Sequence, residues 1–393
     1  MGIVSGSPYR LFRFIVGRSE WRCAASKDEL SMQDKVRVAL LGCGRVSQRY
    51  FEVFESEIAD RAQVIGVCDT VPARMERFVQ RFGATATSSL LDLLALKPDI
   101  VVVLTESGSH YEHARTVLEH GFPVIIEKPV TLRVEQAHDL TVLAASKRLM
   151  CAVIKQNRYN PAIQFARRAL DEGRFGRIFM GGIRVHWSRE QSYYEDGWHG
   201  TWRMDGGVLT QQAIHHIDVL QWLMGSVAEV CARGDHLVNK LEAEDTAMAM
   251  VKFASGAFGS IEATTGARPR DFEASLTILG TEATIRIGGI ALNNIESWEP
   301  VVPRPDDAEI CARYSQNVPT GYGLGHGPYL RDVLDRLRAG RIDPPVGPEA
   351  ASKSLALVHA CYASMERKGW VRMTDNPWSA RLGNTSNLHA VAG

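Results

Sequence analysis

The sequence has no disulfide framework. Its seven cysteines (Cys23, Cys43, Cys68, Cys151, Cys231, Cys311 and Cys361) are odd in number and scattered. None forms a CxxC pair, which argues against a zinc knuckle and for reduced, mostly buried thiols in a cytoplasmic protein. Charge of either sign is not in excess. Lys+Arg and Asp+Glu are both 45, so no global field draws nucleic acid or an anionic membrane. No apolar run is long enough to cross a bilayer. There is no GxSxG nucleophile elbow, and no cysteine has activating neighbours. Internal repeats and low-complexity blocks are also missing. Residues 1–31 are poor in acids, with Glu20, Asp28 and Glu29 set against Arg10, Arg13, Arg18 and Arg22. Met32 stands just before the first strand, so residues 1–34 are expected to be a disordered extension. The remaining length is enough for two or three domains with real cores.

What is present is organised around Val36-Arg-Val-Ala-Leu-Leu-Gly-Cys-Gly-Arg-Val-Ser47. A short apolar strand breaks at Gly42-Cys43-Gly44 and resumes as a helical pattern through Tyr50, Phe51 and Phe54. Strand, glycine turn and helix is the arrangement that seats a dinucleotide pyrophosphate. Gly42 permits the turn, Gly44 lets the phosphates approach, and Arg45 and Val46 lead into the helix. Ser47 stands where a third glycine is usual and is still small enough for close packing. The second strand, Val64–Asp69, ends in a carboxylate suited to the adenosine ribose hydroxyls, which favours NAD over NADP, although Arg74 leaves room for the latter. Asp69 can also serve as a helix N-cap.

Strands and helices alternate to about residue 154. Pro98–Leu104 is a buried strand ending in Thr105-Glu-Ser-Gly-Ser-His110, and Phe122–Glu127 is another, followed by Lys128-Pro129. The fold class is therefore α/β plus α+β. An N-terminal doubly wound parallel sheet occupies 35–154. A second domain, 155–372, carries longer strands of period two (Ile178–Trp187, Thr246–Phe253, Ala257–Ala263, Leu276–Leu279 and Ala283–Ile287) in an open, mainly antiparallel sheet. One helix, about 211–224, interrupts that sheet. Residues 299–320 read as loop, helices at about 327–339 and 348–367 close the fold, and 373–393 form a tail without signal. An open sheet face needs a cover, so a homodimer or homotetramer is expected.

At Glu127-Lys128-Pro129 the chain resembles the glucose–fructose oxidoreductase / inositol dehydrogenase / MocA (Gfo/Idh/MocA) family over about residues 35–370. Lys155-Gln-Asn-Arg-Tyr-Asn-Pro161, Trp187–Tyr194, Trp198-His-Gly-Thr-Trp202, Asp205-Gly-Gly207, Gln212-Ala-Ile-His-His-Ile-Asp218 and Glu244-Asp-Thr246 make it similar to the branch of UDP-N-acetyl-2-amino-2-deoxyglucuronate 3-dehydrogenases, which act in bacterial polysaccharide precursor synthesis. The resemblance implies hydride transfer from a sugar C3–OH to NAD, with Lys128 and His215 at the nicotinamide. A neutral histidine suits a general base, and a cationic lysine stabilises a developing alkoxide. His216 is the competing histidine; the motif puts His215 in register.

The cofactor site expected from turn and resemblance is Gly42, Gly44, Arg45, Val46, Asp69, Thr105, Ser107, His110, Glu127 and Lys128. The sugar or nucleotide-sugar site is expected at Lys155, Asn157, Arg158, Asn160, Arg189, Tyr194, Gln211 and His215, with Tyr193, Trp198 and Trp202 nearby. Gly321–His326 is expected to form a loop leading into a helix. Two positions depart from the family pattern: Gln211, where relatives carry Asp or Asn, and Glu106 in a turn that is usually Thr-Pro-Ser-like. They motivate a non-catalytic NAD-binding protein as an alternative of another class; among enzymes the alternative is a dehydrogenase of a free sugar or cyclitol. Adjacent histidines do not share a helix face, so no metal site is expected at 215–218.

Overall fold

The computed structural model describes residues 35–384. The extension expected over 1–34 and the last part of the expected tail, 385–393, lie outside the described residues.

The first sheet contains β1 (Val36–Leu41), β2 (Ala62–Cys68), β3 (Thr85–Thr87), β4 (Ile100–Val103), β5 (Val124–Ile126) and β6 (Cys151–Val153). Its order is β3-β2-β1-β4-β5-β6, and every pairing is parallel. Helices α1 (Ser47–Glu52, continued by a wider turn through Glu57), α2 (Glu76–Phe82), α3 (Leu90–Ala95), α4 (His110–Glu119) and α5 (Val134–Lys147) make the crossovers. The four residues of β4 are all buried, as a β-branched run covered on both faces must be. Strand order reverses between β1 and β4, which opens a crevice at their carboxyl ends.

The second part runs α6 (Pro161–Asp171), β7 (Ile178–His186), α7 (Val208–Gln211), α8 (Ile214–Met224), β8 (Val227–Asp235), β9 (Thr246–Phe253), β10 (Phe258–Thr264), β11 (Glu273–Gly280), β12 (Ala283–Gly288), β13 (Asn294–Pro300), α9 (Ile310–Tyr314), α10 (His326–Arg338), α11 (Pro348–Arg367) and β14 (Val371–Arg372). The sheet order is β13-β12-β11-β7-β10-β9-β8-β14, antiparallel except for β7 against β10. Ala247, Ala249, Val251 and Phe253 of β9 point into the core, on the sheet face where α8 packs on β7 and α11 on β8, while Met248 and Met250 alternate outward.

Several features differ from the sequence reading. β8, β13 and β14 join the sheet as further strands, and the one helix read at about 211–224 is two, α7 and α8. The stretch read as loop holds α9, because Ile310 is buried and the Tyr314 ring stacks on Phe165 at 5.1 Å; packing rather than periodicity makes that short helix. The tail is anchored through residue 384: Leu382 is buried, and the Gly383 amide donates to the Trp202 carbonyl at 2.9 Å. Residues 326–346 also return to the first sheet. The Tyr329 hydroxyl donates to the Val153 carbonyl at 2.6 Å, and the Val153 amide donates to that of Val346 at 2.9 Å.

Candidate active site

A cavity of about 420 Å³ opens at the carboxyl ends of β1 and β4 and is walled on its far side by the 193–199 loop, Gln211 and His215. Its floor is the glycine turn. Gly42 has φ +96°, and a Cβ there would lie 2.8 Å from the Leu104 carbonyl, so the turn can pass β4 only with glycine. A Cβ at Gly44 would meet nothing within 4 Å, which leaves that backbone open to the cavity. Among the described residues the Gly44, Arg45 and Val46 amides donate to no protein atom. Ser47 is fully buried, and its hydroxyl folds back onto the Gly44 carbonyl at 2.6 Å, so the missing third glycine costs no space.

Asp69 borders the cavity and also braces the turn: its carboxylate accepts the Cys43 amide at 2.7 Å and the Val71 amide at 2.8 Å. A carboxylate has about four acceptor positions, so capacity remains for a hydroxyl pair. Arg74 lies 3.6 Å from it. In the loop after β4, Thr105 bonds His113 at 2.9 Å. His110 has one ring nitrogen 2.6 Å from the Pro129 carbonyl and the other 3.0 Å from that of Thr105. Both nitrogens are engaged, so His110 ties this loop to the Lys128–Pro129 turn. Glu106 lines the cavity from an exposed position.

Lys128 projects from the end of β5 across to α7. Its Nζ donates to the Gln211 carbonyl at 2.8 Å and to the Gln211 side-chain oxygen. The Gln211 amide nitrogen in turn donates to Asp205 Oδ1 at 2.6 Å, and Asp205 Oδ2 accepts the Gly200 amide at 2.9 Å. Helix α7 is clamped in place: Glu244 accepts the Leu209 amide at 3.0 Å and the Tyr362 hydroxyl at 2.9 Å. Helix α8 is buried along nearly its whole length, so His215 in its first turn has a fixed backbone, and its ring lines the cavity. Its Nε2 lies 3.3 Å from the Gln156 amide nitrogen, and its buried Nδ1 has no partner among the described residues.

The electrostatics follow from burial. Burial pushes the Lys128 ammonium down, against the pull of Glu127 and Asp205. Asp205 is pushed up to about 7 by burial, with the Gly200 amide and Lys128 opposing. Burial, then the charges of Lys128 and Lys155, keep His215 well below the usual imidazole value, so it is neutral. Burial would raise Glu127, but His326, Lys128 and the Tyr50 hydroxyl outweigh it and hold the carboxyl at about 2.

All ten residues expected for the cofactor line this cavity, and so do Gln211 and His215. The other six expected sugar contacts do not. Arg158 grips Asp218 with two bonds of 2.7 and 2.8 Å, and Lys155 reaches Asp218 at 3.4 Å and the Ser354 hydroxyl at 2.7 Å. Asn157 is buried beside them, and Asn160 donates to the Ala291 carbonyl at 2.8 Å. Arg189 pairs with Asp271 at 3.0 Å, and the Tyr194 hydroxyl meets Thr265 at 2.7 Å. Their neighbours face the cavity instead: Gln156 and Tyr193, joined by Asp196, His199, Tyr322 and His326. The glycine-rich 321–326 stretch was the one sequence signal for the last two; nothing in local periodicity separates Tyr193 from Tyr194.

Two family models match the chain. One, described as an oxidoreductase family's NAD-binding Rossmann fold, covers residues 36–155, and the other, that family's C-terminal alpha/beta domain, covers 167–373. Among solved structures the chain is similar to the WlbA dehydrogenase of Chromobacterium violaceum in complex with NADH and UDP-GlcNAcA: 39% identity, TM-score 0.80, covering 87% of this chain and 96% of that one. The Bordetella pertussis WlbA dehydrogenase, with the same two ligands, is 36% identical with TM-score 0.80, covering 86% and 97%. Scyllo-inositol 2-dehydrogenase (NAD(+)) of Bacillus subtilis is 26% identical over 65% of this chain and 75% of its own.

Proposed function

The chain belongs to the Gfo/Idh/MocA oxidoreductase family, and from that premise we propose that it oxidises the C3 hydroxyl of a UDP-linked N-acetylamino uronic acid to a 3-keto sugar. At the coarser level it is an NAD-dependent oxidoreductase acting on a sugar or cyclitol CH–OH. The finer reading rests on one observation: the two relatives similar over most of the chain at 36–39% identity are complexes with UDP-GlcNAcA.

NAD fits the first half of the cavity. Gly44 leaves open space above the turn, the amides around it lack protein partners, and Asp69 keeps acceptor capacity at the far end. Gly42, Gly44, Arg45 and Val46 would hold the pyrophosphate, Asp69 the ribose, and Thr105, Ser107, Glu127 and Lys128 the nicotinamide end. When bound, NAD supplies the acceptor for the hydride leaving C3.

Lys128 uses two of its three N–H groups on Gln211, and the third is free to meet the sugar oxygen. There the ammonium stabilises the negative charge that grows on the oxygen as its proton leaves. His215, neutral and beside it, takes the hydroxyl proton. The C3–H pair departs as hydride and the O–H proton passes to His215, leaving a ketone.

The test is to mix purified protein with NAD and UDP-N-acetylglucosaminuronic acid and follow the reduced-nicotinamide absorption band. A rise that His215→Ala abolishes, with NAD binding intact by calorimetry, is expected. No rise while NAD still binds refutes the substrate assignment; a rise with scyllo-inositol or a free sugar instead supports the dehydrogenase of a free sugar or cyclitol.

A further inference from the structure

The Lys128 side chain touches no carboxylate directly. Its partners are two neutral oxygens of Gln211. Glu127, its chain neighbour, is committed elsewhere: one oxygen accepts the Lys128 backbone amide at 2.9 Å and the other the Tyr50 hydroxyl at 2.8 Å. A largely buried ammonium without a counter-charge is costly. The counter-charge lies one residue further along. A lysine ammonium can only donate and an ionised carboxylate can only accept, so above the Asp205 midpoint the Gln211 amide between them has one workable orientation, oxygen to Lys128 and nitrogen to Asp205. Asp205 is 1% exposed, and Gly200 holds its second oxygen at 2.9 Å.

From this chain we propose that Asp205 is a positioning residue, which keeps Lys128 charged and aimed into the cavity by acting through the Gln211 amide. The inference rests on Lys128 standing at the reacting carbon, as proposed above. No proton crosses the amide; Asp205 contributes its field and fixes the dipole of the bridge.

Other ionisable groups face the pair. From the end of β5 comes Glu127, and from α8 His215. From the 187–205 loop come Arg189, Tyr193, Tyr194, Asp196 and His199, and from before β9 Glu244. Lys155 adds a like charge from beyond β6. Of these, none has a side chain joined to the Lys128 side chain by an unbroken run of hydrogen bonds, whereas Asp205 does.

The experiment needs no sugar. The titration midpoint of Lys128 is read from pH-dependent labelling by trace acetic anhydride, quantified by mass spectrometry, in the full chain. Asp205→Asn should lower it by about one pH unit or more, the size expected for losing an opposite charge nearby. Asp205→Asn combined with Gln211→Asp, which puts the carboxylate directly on Lys128, should restore it, and the exposed Lys353 of α11 in the same digest should not move. A role confined to holding Gly200 predicts no shift and no rescue. Should Asp205→Asn not fold, Gln211→Leu cuts the same chain beside Lys128 and must also lower the midpoint. An unmoved Lys128 midpoint in either single variant overturns the proposal. If the midpoint shifts as expected but UDP-N-acetylglucosaminuronic acid is not oxidised, the substrate assignment fails and the role of Asp205 stands.

Discussion

Arg158→Met should destabilise the fold and leave sugar recognition nearly untouched. Arg158 donates to Asp218 twice, at 2.7 and 2.8 Å, and its guanidinium lies 5.2 Å from the Trp222 ring centre. Asp218 is 3% exposed and would keep Lys155, 3.4 Å away, as its remaining cation. Removing one partner of a buried pair costs about 3–5 kcal/mol; with Lys155 left in place, about 3 kcal/mol is expected. For a chain of this size that lowers the melting temperature by roughly 4 °C. The deficit should depend on pH. Burial alone would raise the Asp218 carboxyl, but Lys155 and Arg158 hold it below the usual range. A depressed folded value contributes stability above the unfolded value of about 3.9 and loses it as pH falls through the folded one. The wild-type and variant melting curves should therefore converge below about pH 4. The assay is calorimetric melting over pH 3.5–8, with KM for the sugar measured well below the melting range. An unchanged melting temperature with KM raised tenfold would refute the argument and make Arg158 a substrate ligand.

Lys128→Met should lower kcat by about 10²–10³-fold, the usual loss for one donor to a developing oxyanion, with NAD affinity retained by calorimetry. Burial pushes His110, His215 and His359 below their ordinary value. Their folded values lie under the unfolded one, so stability is full above about pH 6.5 and falls as the solution is acidified, which a melting series from pH 8 to 5 will register. Gly42→Ala forces a side chain into a positive-φ position against the Leu104 carbonyl, and NAD binding should weaken at least about tenfold by calorimetry. Met248, Met250 and Phe258 stand 57–61% exposed on the outer face of the second sheet; a second copy covering that face would be released by Met250→Glu, and light scattering should then give the monomer mass.

The strand–turn–helix at 36–54 was legible because its information is local. A run of β-branched residues, a glycine that must take positive φ and a helical repeat lie within twenty positions, and the cofactor half of the cavity is built from consecutive strand ends of one parallel sheet. Lys128 and His215, which line that cavity, were singled out by their motifs. The rest of its far wall was not, because those residues come from separated segments and face the cavity or the core according to packing. Tyr193 turns inward and Tyr194 outward within one turn, and Lys155 and Arg158 are drawn to Asp218, sixty positions away in the chain, because a buried carboxylate must be matched by cations. For the same reason the meaning of Gln211 could not be read from its neighbours. Only the tertiary fold brings Lys128 to one end of its amide and Asp205 to the other, and thereby decides where the charge balancing the lysine resides.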